Sequence, residues 1–392
     1  MAEAFIVAAA RAAGGRRGGR LAGWHPVDLA ARLLDALVER ADCDPALVDD
    51  VIMGCVSQVG EQSTNVARNA VLASRLPDSV PGTSVDRQCG SSQQALHFAA
   101  QAVMSGMQDV VIAGGVESMS RVPMFTPSDL PRKAGMGYYM SPEIRRRYGD
   151  ADFSQFLGAE QIAVKYGLAK ERMDGYALAS HQRAARATSE GRFAAEIIAV
   201  PVRGADGAVT AELHLRDEGI RADASLQGIA NVKLLALGGR VSAATASQIC
   251  DGASGVLVVN ERGLKALGVK PLARIHHMDV MGHDPVIMLE APIPATERAL
   301  RRCGLKLADI DLYEVNEAFA PVPLAWLDAL GGDADRLNVN GGAIALGHPL
   351  GASGTRLMTT LVHALRDRGG RYGLQTMCEG GGMANVTIIE RL

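Results

Sequence analysis

Short apolar runs and helical stretches alternate along this chain, and the same order of elements occurs twice. In the first third, a turn at residues 86–90 opens a helical stretch to about Ser105. A strand at 109–113 then closes on Gly114-Gly115. In the last third, the glycine-rich tract 341–349 opens a helix over 353–365, and a strand at 372–377 closes on Gly380-Gly381-Gly382. The lead-ins agree too: the polar-to-apolar text of 309–315 (DIDLYEV) has the context of 49–52. Strands separated by helices imply parallel pairing and a layered α/β fold. A repeated order of elements implies two similar halves related by a pseudo-twofold axis.

Other stretches fit this scheme. Residues 5–9 read as a short strand and 51–56 as a buried one. Residues 26–40 place Leu29, Leu33, Leu34, Leu37 and Val38 on one helical face, and 66–73 reads as a second helix. Residues 119–249 break the pattern, with Met-, Tyr- and Arg-rich text, helical stretches at 158–166 and 170–190, and a polar excursion at 201–228. Core text returns at 251–255, read as a turn into a strand at 256–259. We therefore expect an N-terminal α/β half (1–118 plus 250–270), an inserted subdomain (119–249) and a C-terminal half (271–392). A long insert beside a reactive turn commonly shapes a substrate site.

Composition removes several function classes. A net charge of −3 and 4 % aromatics offer no basic patch and no stacking platform, so neither nucleic acid nor a membrane surface is expected as partner. The 6 cysteines are scattered without a C-x-x-C pair, which argues against a disulfide framework or zinc ribbon and fits a reducing cytoplasm. The start of the chain has no charged segment followed by an apolar one, and no apolar run approaches about 18 residues. Arg11, Arg16, Arg17 and Arg20, spaced by glycines, read as a loop.

Four glycine-rich turns after strands carry groups capable of chemistry, at the strand ends where α/β sheets place ligands. Cys89 lies in Arg87-Gln88-Cys89-Gly90-Ser91, where Gly90 permits a tight turn and Ser91 and Ser92 start a helix. Unpaired N–H groups and a helix N-terminus there would lower the thiol pKa, although a small buried residue is the alternative. His348 sits between Gly347 and Pro349, a setting that suits function better than a periodic apolar element would. Cys378 precedes three glycines; it is either a buried small residue or a proton-handling thiol, with the Gly380 N–H available to an oxyanion. Asn316 is a neutral amide at a strand end, able to hold a water or an acyl oxygen. The tract 341–354 does not match G-x-G-x-x-G, and Cys89, His348 and Cys378 lack the local pairing of a metal site, so neither a dinucleotide nor a metal is expected.

Taken together, these stretches resemble the thiolase family of acyl-CoA acyltransferases. The likeness runs through the opening from Ile6 to Leu21, 114–120 (GGVESMS), 179–184 (ASHQRA), 251–253 (DGA), 316–320 (NEAFA) and 340–349 (NGGAIALGHP). It implies a layered α-β-α-β-α fold of two similar halves with an inserted CoA-binding loop subdomain. Cys89 would carry the acyl group as a thioester, and His348 would take its proton and then help bind the thioester oxygen. Cys378 would serve as acid/base, and Asn316 would hold a water completing one oxyanion site with His348. The N–H groups of Cys89 and Gly380 would form the other. Arg221 matches the family's basic contact near the adenine and phosphate, Ser247 a pantetheine contact, and Ala243, Ala318 and Phe319 pocket-wall positions.

The activity implied is reversible thiolysis of a 3-oxoacyl-CoA to acetyl-CoA or propionyl-CoA and a shortened acyl-CoA, or the reverse Claisen condensation. Coenzyme A is then a substrate, no cofactor is tightly bound, and a homodimer or homotetramer is implied. A 3-ketoacyl synthase would use two histidines where this chain has His348 and Cys378, and a non-enzymatic acyl-CoA or lipid carrier of this fold would lack one of the four turns. Leu157-Gly158-Ala159-Glu160 is a compressed form of a CoA-contacting segment. Ile287-Met288-Leu289 replaces a Val-Met-Gly segment of short-chain members, so acyl specificity does not carry over. The text of 273–296 and 378–392 is similar to actinobacterial degradative thiolases, some of which act on steroid-derived acyl chains.

Overall fold

A computed structural model describes residues 2–204 and 207–392. Nine strands form the path of its main sheet. They are β1 (Phe5–Ala12), β2 (Asp50–Gly54), β3 (Gly82–Val85), β4 (Val110–Ser118), β5 (Cys250–Val259), β6 (Ala273–Gly282), β7 (Leu312–Val315), β8 (Tyr372–Glu379) and β9 (Met383–Arg391). Their order is β7-β8-β9-β6-β1-β5-β4-β2-β3. Counted outward from the centre, the first half runs β1, β5, β4, β2, β3, and the second runs β6, β9, β8, β7, followed by a parallel bridge between Tyr313 and Leu337. In each half these are the first, fifth, fourth, second and third extended segments of the chain. The expected internal repeat is thus a repeat of topology.

Pairing is mixed rather than parallel. β2 pairs in parallel with β3 and β4, and β7 with β8, whereas β1, β5, β6 and β9 pair antiparallel with their sheet neighbours along this path. The cause is local in the second half: only Gly380, Gly381 and Gly382 separate β8 from β9, and so short a link can close only a hairpin.

Three apolar cores separate the layers. Helices α1 (Pro26–Arg40) and α2 (Val66–Ala73) bury Leu29, Leu33, Leu37 and Val71 against Val51, Ile112 and Leu257. Helix α3 (Ser91–Ser105) and the late helix Ser353–Arg368 share a middle core, in which Leu96, Val103, Met358 and Leu361 meet Ile6, Val111, Val258 and Ile389. On the far side, Ile293 and Trp326, from helices Pro292–Cys303 and Pro321–Leu330, pack on Val315, Leu374 and Ile388. Each such aliphatic side chain contributes about 1.5–3 kcal/mol on burial. The two nucleophile-side helices therefore lie at the centre of the molecule, with their N-termini at the site described below.

Between β4 and β5 the insert supplies α4 (Thr126–Lys133), α5 (Pro142–Tyr148), α6 (Gln155–Lys165) and α7 (Lys170–Ser189), then a hairpin of Val200–Arg203 with Val209–His214. In chain order the three late helices become α8 (Pro292–Cys303), α9 (Pro321–Leu330) and α10 (Ser353–Arg368). Ala205 and Asp206, within the polar excursion, lie outside the described residues, as does Met1.

Three sequence expectations change. Gly114-Gly115 does not end a strand; β4 continues to Ser118, paired with 251–255, and a Cβ on Gly115 would lie 2.1 Å from the Gly351 carbonyl oxygen. Glycine there serves close approach of a loop to the sheet face. Residues 251–255 are not a turn but the first part of β5, paired with 114–118. Arg11 is not in a loop. It is fully buried in β1, with Nε donating to Glu196 at 2.6 Å and Nη1 to Asp217 at 2.7 Å. This pairing fastens the insert to the sheet. Truncating one member of a buried ion cluster leaves the rest uncompensated, so Arg11→Ala is expected to lower unfolding stability by about 3–5 kcal/mol, read from urea midpoints.

Candidate active site

The nucleophile turn joins β3 to α3. Gln88 takes the left-handed conformation, with φ +50°. It is held there from both sides: its N–H donates to Asp86 Oδ1 at 2.7 Å, and its carbonyl accepts from the Ser91 hydroxyl at 2.6 Å. That hydroxyl also accepts the Arg87 N–H at 2.9 Å. The strain expected at Gly90 thus falls on Gln88, while Gly90 itself is unstrained at φ −86°. Glycine is needed at 90 for space, since a Cβ would lie 1.9 Å from Glu379 Oε1.

Cys89 is therefore presented at the apex of a braced turn, half-buried. Its own N–H and that of Gly380 reach the sulfur and favour the thiolate. Burial outweighs them, and with the nearby Glu379 it pushes the thiol up to about 12, opposite to the sequence expectation. Cys378, the penultimate residue of β8, is fully buried; burial raises its thiol too, and the Cys89 charge raises it further. The structure thus brings Cys89, Cys378 and the Gly380 N–H together.

A second pair forms at the end of β7, the strand next to β8. Asn316 follows β7, and its N–H donates to the Thr376 carbonyl on β8 at 3.0 Å. Its Nδ2 faces His348 Nε2 at 3.4 Å, and its buried Oδ1 has no partner among the described residues. His348 Nδ1 lies 2.5 Å from Ser353 Oγ, at the start of α10. The Ser353 hydroxyl donates to the Pro349 carbonyl at 2.9 Å, so it accepts from Nδ1–H and leaves the Nε2 lone pair facing the Asn316 amide; this tautomer is assigned from the hydrogen bonds. Burial and the Arg356 cation lower the imidazole to about 3, so it is neutral at rest.

The unfolded chain binds a proton here below about pH 6.5. The folded chain does so only near pH 3. The contribution of His348 is therefore complete above pH 6.5 and is lost as pH falls through that window. A His348→Asn variant, which cannot titrate, is expected to lose up to about 2 kcal/mol less than wild type between pH 7 and 5, measured by urea unfolding.

Two buried glutamates hold these loops, and the sequence reading missed both. Glu117 accepts the N–H groups of Val56 and Gly351 at 2.9 Å and of Ser57 at 3.0 Å, tying the nucleophile side to the His348 loop. Glu317 accepts from Ser180 Oγ at 2.7 Å, Tyr176 Oη at 2.9 Å and the Ile344 N–H at 3.0 Å, linking α7 to the glycine tract before His348. Both lie in the motif text (GGVESMS, NEAFA), but only the fold shows what they receive.

Cys89 and Gly380 open on a cavity of about 740 Å³. Its walls are largely apolar and come mainly from the insert, including Phe125, Tyr138, Tyr139 and Phe153, with Met288 opposite. Met288, left-handed at φ +53°, matches the family's Met; Leu289, the bulky residue in place of glycine, is buried beside Gly158 and does not line this cavity. A second groove of about 370 Å³ is lined by Arg221 and Ala243, with His181, Ser225 and Gln248. Ser247, Ala318 and Phe319 do not line it. Ser247 N–H donates to the Ala318 carbonyl at 2.9 Å, and Ala318 and Phe319 are buried beneath. Segment 157–160 is also elsewhere: Glu160 accepts the Arg240 and Val241 N–H groups, and Gly158 packs on the Ile287 carbonyl.

Comparison with known proteins shows the family. The family model described as thiolase, N-terminal domain, matches residues 4–262, and thiolase, C-terminal domain, matches 269–391. A Mycobacterium tuberculosis protein named steroid 3-ketoacyl-CoA thiolase FadA6 is 52 % identical, over 100 % of this chain and 95 % of its own length. A 3-ketoacyl-CoA thiolase of Pseudoalteromonas translucida is 43 % identical over 97 % of this chain and 96 % of its own. One from Yersinia pestis is 42 % identical over the full length of both. With both family models matched in order across nearly the whole chain, this protein belongs to the thiolase family.

Proposed function

We propose that the chain catalyses CoA-dependent cleavage of a 3-oxoacyl-CoA through an acyl thioester on Cys89. The observation that carries this is the convergence of two thiols and the Gly380 N–H at the end of β8, with the Asn316–His348 pair at the end of the adjoining strand β7. His348 Nε2 takes the Cys89 proton as the sulfur attacks the 3-keto carbon. The C2–C3 bond then breaks, leaving the acyl group on Cys89 and an enolate of acetyl-CoA or propionyl-CoA, which Cys378 protonates. Cys378, now a thiolate, takes the proton of the CoA thiol as that sulfur attacks the thioester; the shortened acyl-CoA leaves, and His348 returns its proton to the Cys89 sulfur. The Cys89 and Gly380 N–H groups stabilise one developing oxyanion. Asn316, through a water, and His348 stabilise the other. With a resting thiol and neutral imidazole, proton transfer accompanies attack instead of preceding it. Run backwards, the same residues perform the Claisen condensation, with Cys378 removing the α-proton.

Arg221 and Ala243 would bind the CoA moiety in the second groove, with Ser247, Ala318 and Phe319 behind its wall, which makes 119–249 a CoA-binding subdomain between the two halves. The cavity over Cys89 lies toward the upper part of the range for small-molecule sites, about 300–1,000 Å³, and its aromatic walls suit a bulky acyl group. With the name of the FadA6 relative, this favours a steroid-derived acyl chain. β3 is an edge strand running straight into the nucleophile turn, and a homodimer or homotetramer would cover it. We place the enzyme in the cytoplasm; no described helix is long and apolar enough to cross a membrane.

The test is a thiolysis assay over 3-oxoacyl-CoA substrates from acetoacetyl-CoA to polycyclic acyl chains. Higher kcat/KM for bulky acyl groups is expected. Absence of CoA-dependent cleavage across the series would overturn the reading.

A further inference from the structure

One group beside the nucleophile has no part in the chemistry above. Glu379 is fully buried between Cys378 and Gly380, and neither carboxyl oxygen has a well-formed hydrogen bond among the described residues. Successive strand residues face opposite sides, so Glu379 points away from Cys378 and lies under the nucleophile turn. There it occupies the space a Gly90 side chain would fill.

We propose that Glu379 is a positioning residue for Cys89: a carboxyl wedged beneath the nucleophile turn, whose ionisation opposes that of the thiol. The proposal rests on the reading of Cys89 as nucleophile. The groups around Glu379 are unequal. Arg87 from the turn and the Asn385 N–H from β9 favour a carboxylate. Burial opposes it and holds the carboxyl well above its ordinary range. The charges of Glu379 and Asp86 both raise Cys89, and that of Glu379 raises Cys378. On the α3 side, Gln94 and His97 bind the Asn385 amide rather than Glu379. A standing carboxylate would repel both the Cys89 thiolate and the oxyanion at the Cys89 and Gly380 N–H groups. As a neutral acid, it keeps the same packing under Gly90 without that charge.

The test reads Cys89 directly, without substrate. Iodoacetamide alkylation of Cys89 is followed by peptide mass spectrometry from pH 6.5 to 9.5, in a Cys378→Ser background so that one thiol titrates in the pocket. If Glu379 ionises within this range, the rate with Glu379 rises by less than about tenfold per pH unit, while Glu379→Gln restores the full tenfold slope of an isolated thiol. The two rates should agree at pH 6.5 and differ by at least about threefold at pH 9.5. A rate ratio independent of pH overturns the proposal, as does a full slope with Glu379 in place, which needs no Glu379 variant. Because no acyl-CoA is present, failure here is separable from failure of the thiolase reading, which the cleavage assay decides.

Discussion

Cys89→Ala is expected to lower CoA-dependent cleavage of 3-oxoacyl-CoA by about four orders of magnitude or more, the scale seen when a covalent nucleophile is removed. The reason is that no neighbour can substitute. His348 offers a nitrogen lone pair, but burial and its bond to Ser353 fix it in place. Cys378 is the other thiol of the site and is fully buried. Alanine fits the turn, whose braces run through Asp86, Gln88 and Ser91 rather than the thiol. Stability should therefore change by only about 1 kcal/mol. Intact-protein mass spectrometry after incubation with an acyl-CoA supplies the check. Wild type should gain one acyl group and the variant none; an acylated variant would place the nucleophile elsewhere.

Cys378→Ser is expected to separate the two chemical events. Acyl transfer onto Cys89 needs His348 and the N–H groups of Cys89 and Gly380, all of which remain, so acylation should persist. Exchange of the acetyl-CoA α-protons with deuterated water should fall by about 10²–10⁴-fold, because a hydroxyl is a far weaker acid and base partner than a thiol. Exchange at the wild-type rate would remove Cys378 from the acid/base role.

Much of the architecture was legible because it is written locally. The helices 26–40 and 66–73 were expected with the bounds observed, since apolar period, Pro26 at the first helical position and the Asn65 cap all act within a few residues. The doubled order of elements was legible for the same reason. The misreadings were of another kind. Gly114-Gly115 and residues 251–255 resemble turns because glycine is frequent in turns, yet here they lie in paired strands against which a loop and Pro349 pack. Arg11 resembles a surface residue because its partners, Glu196 and Asp217, lie about 200 positions away.

The sequence by itself determined the chemical inventory: a cysteine before a helix, a histidine in a glycine tract, a second cysteine before three glycines, and an asparagine after a strand. It also determined that two similar halves would carry them. Only the tertiary structure decided how those groups behave. The cysteine motif and helix start argue for a reactive thiolate, but ionisation depends on the whole surrounding volume. Burial set against two N–H groups leaves Cys89 a thiol at rest. The Ser353 bond selects the His348 tautomer, and the packing of Glu379 under Gly90 explains that glycine. Conformational preference acts between neighbours in the chain, whereas desolvation and charge act between neighbours in space.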